Sequence, residues 1–203
     1  MQYFWTHYFY NILGAAYTFK AWRLNDVPFA LFLITHAYFS TYHTGTTIIL
    51  RRFWTSKWYA AAGGIPRAAM SCMLVGALAY FTAFAETLTI SSFPYYTIKN
   101  RPWMYKVGSV FYGLYFIVSF PMYYRLGERA GGNRKGKSDG GGGGGGGGGG
   151  NAEFDWSLER VAIDSLGACM IVTCLLDFWR LAVGVLPWLA SGDVTVKNCV
   201  PFL

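Results

Sequence analysis

Long apolar stretches alternate along this chain with short polar breaks marked by proline or basic residues. Val27–Leu50, Ala68–Ile90, Val107–Tyr124 and Val161–Leu189 are each close to or beyond the length of about 20 mostly apolar residues that a helix needs to cross a bilayer. The last of them is expected to leave the membrane near Gly184. Met1–Phe19 is a further candidate, short and interrupted by His7 and Asn11, and reads as the back half of a helix whose front half is missing. Breaks fall at Asn25–Pro28, Pro66–Arg67, Phe93–Pro94 and Arg101–Pro102. Pro121, inside the fourth span, predicts a kink that neighbouring helices can accommodate. The pattern predicts an all-α fold, a polytopic transmembrane bundle of about five spans.

Between the last two runs lies AGGNRKGKSDG, followed by unbroken glycine to Gly150. Such a tract is a flexible coil that cannot bury a core. One helix and a short tail follow it, too little for a second domain. Residues 131–153 are therefore expected to be a disordered Gly-rich loop within a single transmembrane domain, 1–203.

Composition sharpens the membrane assignment. Aromatic residues make up 19% of the chain and charged ones 13%, the latter about half the ordinary level of ~25%. The net charge of +7 does not point to nucleic acid, because the cations sit in the breaks. Arg51, Arg52, Lys57 and Arg67 fall in one loop, and Arg125, Arg129, Arg134, Lys135, Lys137 and Arg160 in another on the same side. The opposite side holds only Lys20, Arg23, Lys99, Arg101, Lys106 and Lys197, so the positive-inside rule favours the first side as cytoplasmic. No signal peptide pattern opens the chain. Cys72, Cys169, Cys174 and Cys199 form no CxxC pair, and thiols in apolar helices behave as small hydrophobes.

Ionisable groups at membrane depth supply the candidate chemistry. A lipid-facing carboxylate costs roughly 2.5 kcal/mol or more, so Glu86, near the end of its run, is expected to face the bundle interior or a polar cavity. Thr82, Glu86 and Thr89 share one helix face with Ala79, and small residues let helices approach closely. A carboxyl held neutral by an apolar site suits a general acid; the alternative is an interfacial Glu86 paired with Lys99, Arg101 or Lys106. His36 and His43, seven apart, share a stripe with Ser40 and Thr47. They could serve as proton carriers, clamp a haem, or form a polar stripe bonded to neighbouring helices. The HxxxH and HxxHH boxes of membrane di-iron oxidases are absent. Asp177 and Arg180 can pair on one face, as can Arg160 and Asp164; an Asp177 held ionised would stabilise nearby positive charge. Rings in YFWTHYFY, FPYY and MYKVGSVFYGLYF suit interfacial belts, and any that face a cavity would attract a cation.

The strings YFWTHYFYNILGAAYTF, NDVPFALFLITHAYF, AETLTISSFPYY, MYKVGSVFYGLYFIVSFPMYYR, WSLERVAIDSLGACM and LLDFWRL, in this order, resemble the cycloeucalenol cycloisomerases, the cyclopropyl sterol isomerases of plants and algae. The resemblance runs from Tyr3 to about Leu189, broken by the glycine insert and by Phe53–Ser71. It implies a multi-pass membrane enzyme, expected in the endoplasmic reticulum, that opens the 9β,19-cyclopropane ring of cycloeucalenol to give obtusifoliol without a redox cofactor or metal. Family members carry further hydrophobic segments upstream, so the chain looks shortened at its start. The implied partners are a sterol, the lipid bilayer and, as a further expectation, other sterol-synthesis enzymes; nucleic acid is not among them.

Cyclopropane opening by isomerisation needs a neutral acid, a base, and rings or anions around the intermediate cation. Glu86 suits the acid, His36 or His43 the base, and Asp177 with the aromatic rings the cation. These roles come from the residues; the resemblance does not assign them. A sterol double-bond isomerase uses the same proton logic on an alkene. A proton-coupled carrier would also keep acids and histidines at depth, though no internal repeat is visible.

Overall fold

A computed structural model describes residues 5–6, 8–132 and 157–183. His7, the side chain of Asn11, the glycine tract, Gly184 and Cys199 lie outside the described residues. Helices α1 (Phe29–Trp54), α3 (Gly64–Ile90), α5 (Ser109–Gly132) and α6 (Leu158–Val183) form the bundle. Short α2 (Lys57–Ala61) joins α1 to α3, and α4 (Arg101–Trp103) leads through a π-helical turn, Met104–Gly108, into α5.

α5 is the central helix. Its aromatic face, Phe111, Tyr115, Phe116 and Phe120, is at most 3% exposed and receives the other helices. α3 presents Ala79 and Ala83, both fully buried, so that its backbone comes close: a β-carbon placed on Gly113 would lie 3.7 Å from the Ala79 carbonyl. α6 contributes Val172 and Leu176. α5 runs through Pro121 without interruption.

Among the described residues, three helices are long and apolar enough to cross a membrane: Gly64–Ile90, Arg101–Leu126 and Leu158–Ala182, with mean hydropathies of 1.7, 1.2 and 1.8. This is fewer than the five spans expected, and the two shortfalls have different causes. α1 forms a 26-residue helix along α5, but hydroxyl and imidazole groups lower its hydropathy. Thr35, Ser40, Thr41 and Thr44 each donate to the carbonyl four residues back at 2.7–2.9 Å. These hydroxyls are thus satisfied by their own helix, while His43 of the expected stripe also reaches Ser119 on α5.

Within Met1–Phe19, the described residues fold over the end of the bundle instead of crossing it. Tyr8–Ile12 make a π-helical turn, and β1 (Ala15–Tyr17) pairs antiparallel with β4 (Tyr96–Ile98), Tyr17 opposite Tyr96. β2 (Arg23–Leu24) and β3 (Val27–Pro28) close through Asn25 and Asp26, both at positive φ (52° and 62°). Two central residues with positive φ give the tight hairpin whose twist matches its strands, and Asn and Asp tolerate that conformation best after glycine. Arg23 locks this cap by donating to the carbonyls of Asp26, Tyr17 and Phe19 at 2.7–2.8 Å.

Candidate functional site

The cap, the start of α1, the end of α3 and the first turns of α5 enclose a cleft with about 880 Å³ of empty space counted out to its open mouth. Ten of its eighteen wall residues carry aromatic rings, and Glu86 is the one ionisable acid, base or cation besides phenols among them. A hydrocarbon fits such a wall, and a cation formed there would meet ring faces.

Glu86 lies on the penultimate turn of α3 and is half-buried. The Tyr112 hydroxyl, from α5, donates to its Oε2 at 2.7 Å, and the Tyr42 hydroxyl lies beside the same carboxyl. Its neighbours do not compete: Thr87 donates to the Ala83 carbonyl and Thr89 to those of Ala85 and Glu86. Thr89 is exposed, so the expected face of Thr82, Glu86 and Thr89 does not line the cleft as a unit. Among the described residues, Glu86 forms no ion pair with Lys99, Arg101 or Lys106.

Phenols from the cap complete the wall. Tyr17 and Tyr96 meet across the strand pair with ring centroids 4.9 Å apart and planes tilted by 56°, and the Tyr10 ring lies 6.1 Å from that of Tyr17. Burial pushes all three phenols up; the charge of Glu86 adds to the shift at Tyr17 and Tyr96. These hydroxyls therefore stay protonated across the physiological range.

The other expected site residues stand apart from this cleft. His43 is buried beyond it, where α1 crosses α5. Its Nδ1 lies 2.6 Å from the Phe39 carbonyl, which can only accept, so Nδ1 carries the hydrogen and Nε2 takes the Ser119 hydroxyl at 2.9 Å. Phe120 and Tyr123 close around the ring. His36 is exposed, its Nδ1 on the Phe32 carbonyl at 3.0 Å. The two histidines share a stripe in sequence but not an environment, because α5 covers the helix at only one of them. Asp177 accepts from the Tyr8 hydroxyl at 2.7 Å rather than pairing with Arg180. Asp164 takes Arg125 of α5 at 2.6 Å rather than Arg160 of its own helix.

Sequence reasoning singled out the ring-rich strings but missed which rings matter. Tyr112 and Tyr115, in FYGLYF, are three apart and so share a helix face. That spacing, opposite the small-residue face of α3, was the available signal. Trp5, Tyr17 and Tyr96 left none, since strand pairing and the folded-back cap bring them to the wall.

No family model and no solved structure matches the chain. Cycloeucalenol cycloisomerase of Arabidopsis thaliana is 40% identical to it over 204 residues, which cover 99% of this chain and 63% of that protein. The likeness carried by the strings thus extends over nearly the whole chain, and the chain spans less than two thirds of the curated relative it matches.

Proposed function

We propose that this chain acts as a membrane-bound sterol isomerase that opens the 9β,19-cyclopropane ring of cycloeucalenol to give obtusifoliol in phytosterol synthesis. The observation that carries this proposal is the Glu86–Tyr112 pair on an aromatic wall; the likeness to the Arabidopsis protein supports it and names the substrate.

Glu86, carrying a proton on the oxygen that Tyr112 leaves open, delivers it to the cyclopropane methylene. The electron pair of the breaking ring bond forms the new C–H bond, and positive charge is left on a tertiary carbon. Ring faces of the wall hold that charge, while Tyr112 stabilises the carboxylate left behind. A neighbouring carbon then loses a proton, its electron pair forms the alkene, and the Glu86 carboxylate takes the proton back. His36 and His43, standing off the wall, need not take part. Asp177 acts at one remove, by holding Tyr8 and with it the turn that carries Phe9. The reaction is redox-neutral. The protein resides, in this proposal, in the endoplasmic reticulum membrane beside other sterol-synthesis enzymes.

Expression of the full chain in cells that lack cyclopropyl sterol isomerase tests it. Conversion of accumulated cycloeucalenol to obtusifoliol is the expected result. A shifted ring alkene would instead mark a double-bond isomerase, and an unchanged sterol profile would sink both.

A further inference from the structure

Trp5 and Tyr115 meet on the cleft wall with their rings in a T, centroids 4.9 Å apart. Each carries a buried donor that no described residue accepts: Trp5 Nε1 and the Tyr115 hydroxyl. Tyr115 is only 3% exposed. Buried or half-buried polar groups nearby are paired at Tyr112 with Glu86, at Thr87 with the Ala83 carbonyl and at Thr35 with the Leu31 carbonyl. Buried donors without a partner are destabilising, and native folds keep few of them. Two on touching rings of one cleft wall point to an acceptor that arrives from outside.

The acceptor's chemistry follows from its surroundings. An indole N–H can only donate, and a phenol beside it can donate as well. Among the described residues no cation lines the cleft to neutralise a carboxylate or phosphate, and an unpaired charge among rings would be costly to bury. We propose that Trp5 and Tyr115 form a subsite for one neutral oxygen, an alcohol or a ketone, at one end of a hydrocarbon ligand. The skeleton then lies along the aromatic wall toward Glu86. Both donors are covered, so the oxygen reaches them by parting the T-shaped pair. Anchoring the polar end in this way fixes which carbon of the skeleton meets the Glu86 carboxyl. The proposal rests on the cleft being the substrate site of the proposed isomerase.

Equilibrium binding to the full chain in lipid nanodiscs tests it, with cycloeucalenol, its ketone and its deoxy analogue lacking the hydroxyl as probes. The unsubstituted protein should bind the alcohol and the ketone alike, and both about tenfold or more tighter than the deoxy analogue. Tyr115→Phe and Trp5→Phe should each erode that preference and raise KM more than they lower kcat. Equal affinity of the unsubstituted protein for cycloeucalenol and the deoxy analogue would overturn the subsite, and so would a preference unchanged in both variants. The deoxy comparison uses the unsubstituted chain, so a misfolded variant cannot hide the result. Conversion of cycloeucalenol without discrimination would remove the subsite and leave the proposed function standing. Neither binding nor conversion would remove both.

Discussion

The two halves of α5 face opposite ends of the bundle and treat polar groups in opposite ways. Toward its C-terminus the described groups pair with one another: His43 holds the Phe39 carbonyl and Ser119, Trp54 donates to Ser71 and packs on Tyr124 at 4.4 Å, and Arg125 holds Asp164. Toward its N-terminus the helix borders an open cleft, with a carboxyl held by phenols, Tyr112 at 2.7 Å and Tyr42 beside it, and two buried donors that no described residue accepts. The first half is finished as a structure; the second has capacity left for a ligand. Candidate histidines and carboxyls are present in both halves, so residue type alone does not separate scaffold from site. What separates them is whether the hydrogen-bonding capacity is already used.

Substitutions in the two halves should accordingly separate rate from stability. Glu86→Gln keeps shape and hydrogen bonding but removes the transferable proton. Turnover should fall roughly 10²–10⁴-fold, with normal membrane insertion and an accumulating sterol that keeps its cyclopropane ring; near-normal turnover would place the acid elsewhere. Phe120→Ala, in the closed half, should cost about 3–5 kcal/mol of stability by leaving a cavity. Thermal denaturation in detergent reads that loss, while turnover per folded molecule should hold.

Smaller effects test the same division. Tyr112→Phe removes the donor to Glu86, and a hydrogen bond to a charged group is worth about 1.5–3 kcal/mol. The rate should fall by about 10–100-fold, and the alkaline limb of the pH–rate profile, where a general acid loses its proton, should move; an unmoved profile would detach Tyr112 from the proton step. His43→Ala should destabilise by about 1–3 kcal/mol through an orphaned Ser119 yet leave kcat near normal in the folded fraction. A rate loss as deep as that of Glu86→Gln would return His43 to the chemistry as base. Arg125→Ala should be the mildest, since a half-exposed ion pair contributes about 0–1 kcal/mol, measured as the shift in denaturation midpoint.

The sequence by itself determined the helical, membrane-suited class of the chain, because apolar runs of bilayer length admit little else. It also picked out Glu86, because a carboxyl inside such a run demands an explanation whatever surrounds it. The span count went astray at α1 because its run was judged by length although hydroxyl and imidazole groups lower its hydropathy, and at the start of the chain because a one-dimensional tally cannot see a segment doubling back into the pairing of Ala15–Tyr17 with Tyr96–Ile98. Only the tertiary structure decided which ionisable groups share a space. His36 and His43 look equivalent at seven residues' spacing, but α5 buries one and not the other. Asp177 looks like the natural partner of Arg180 until Tyr8, 169 positions away, reaches it first. Helical periodicity fixes the face on which a side chain stands; the crossing of a second helix fixes what that face meets.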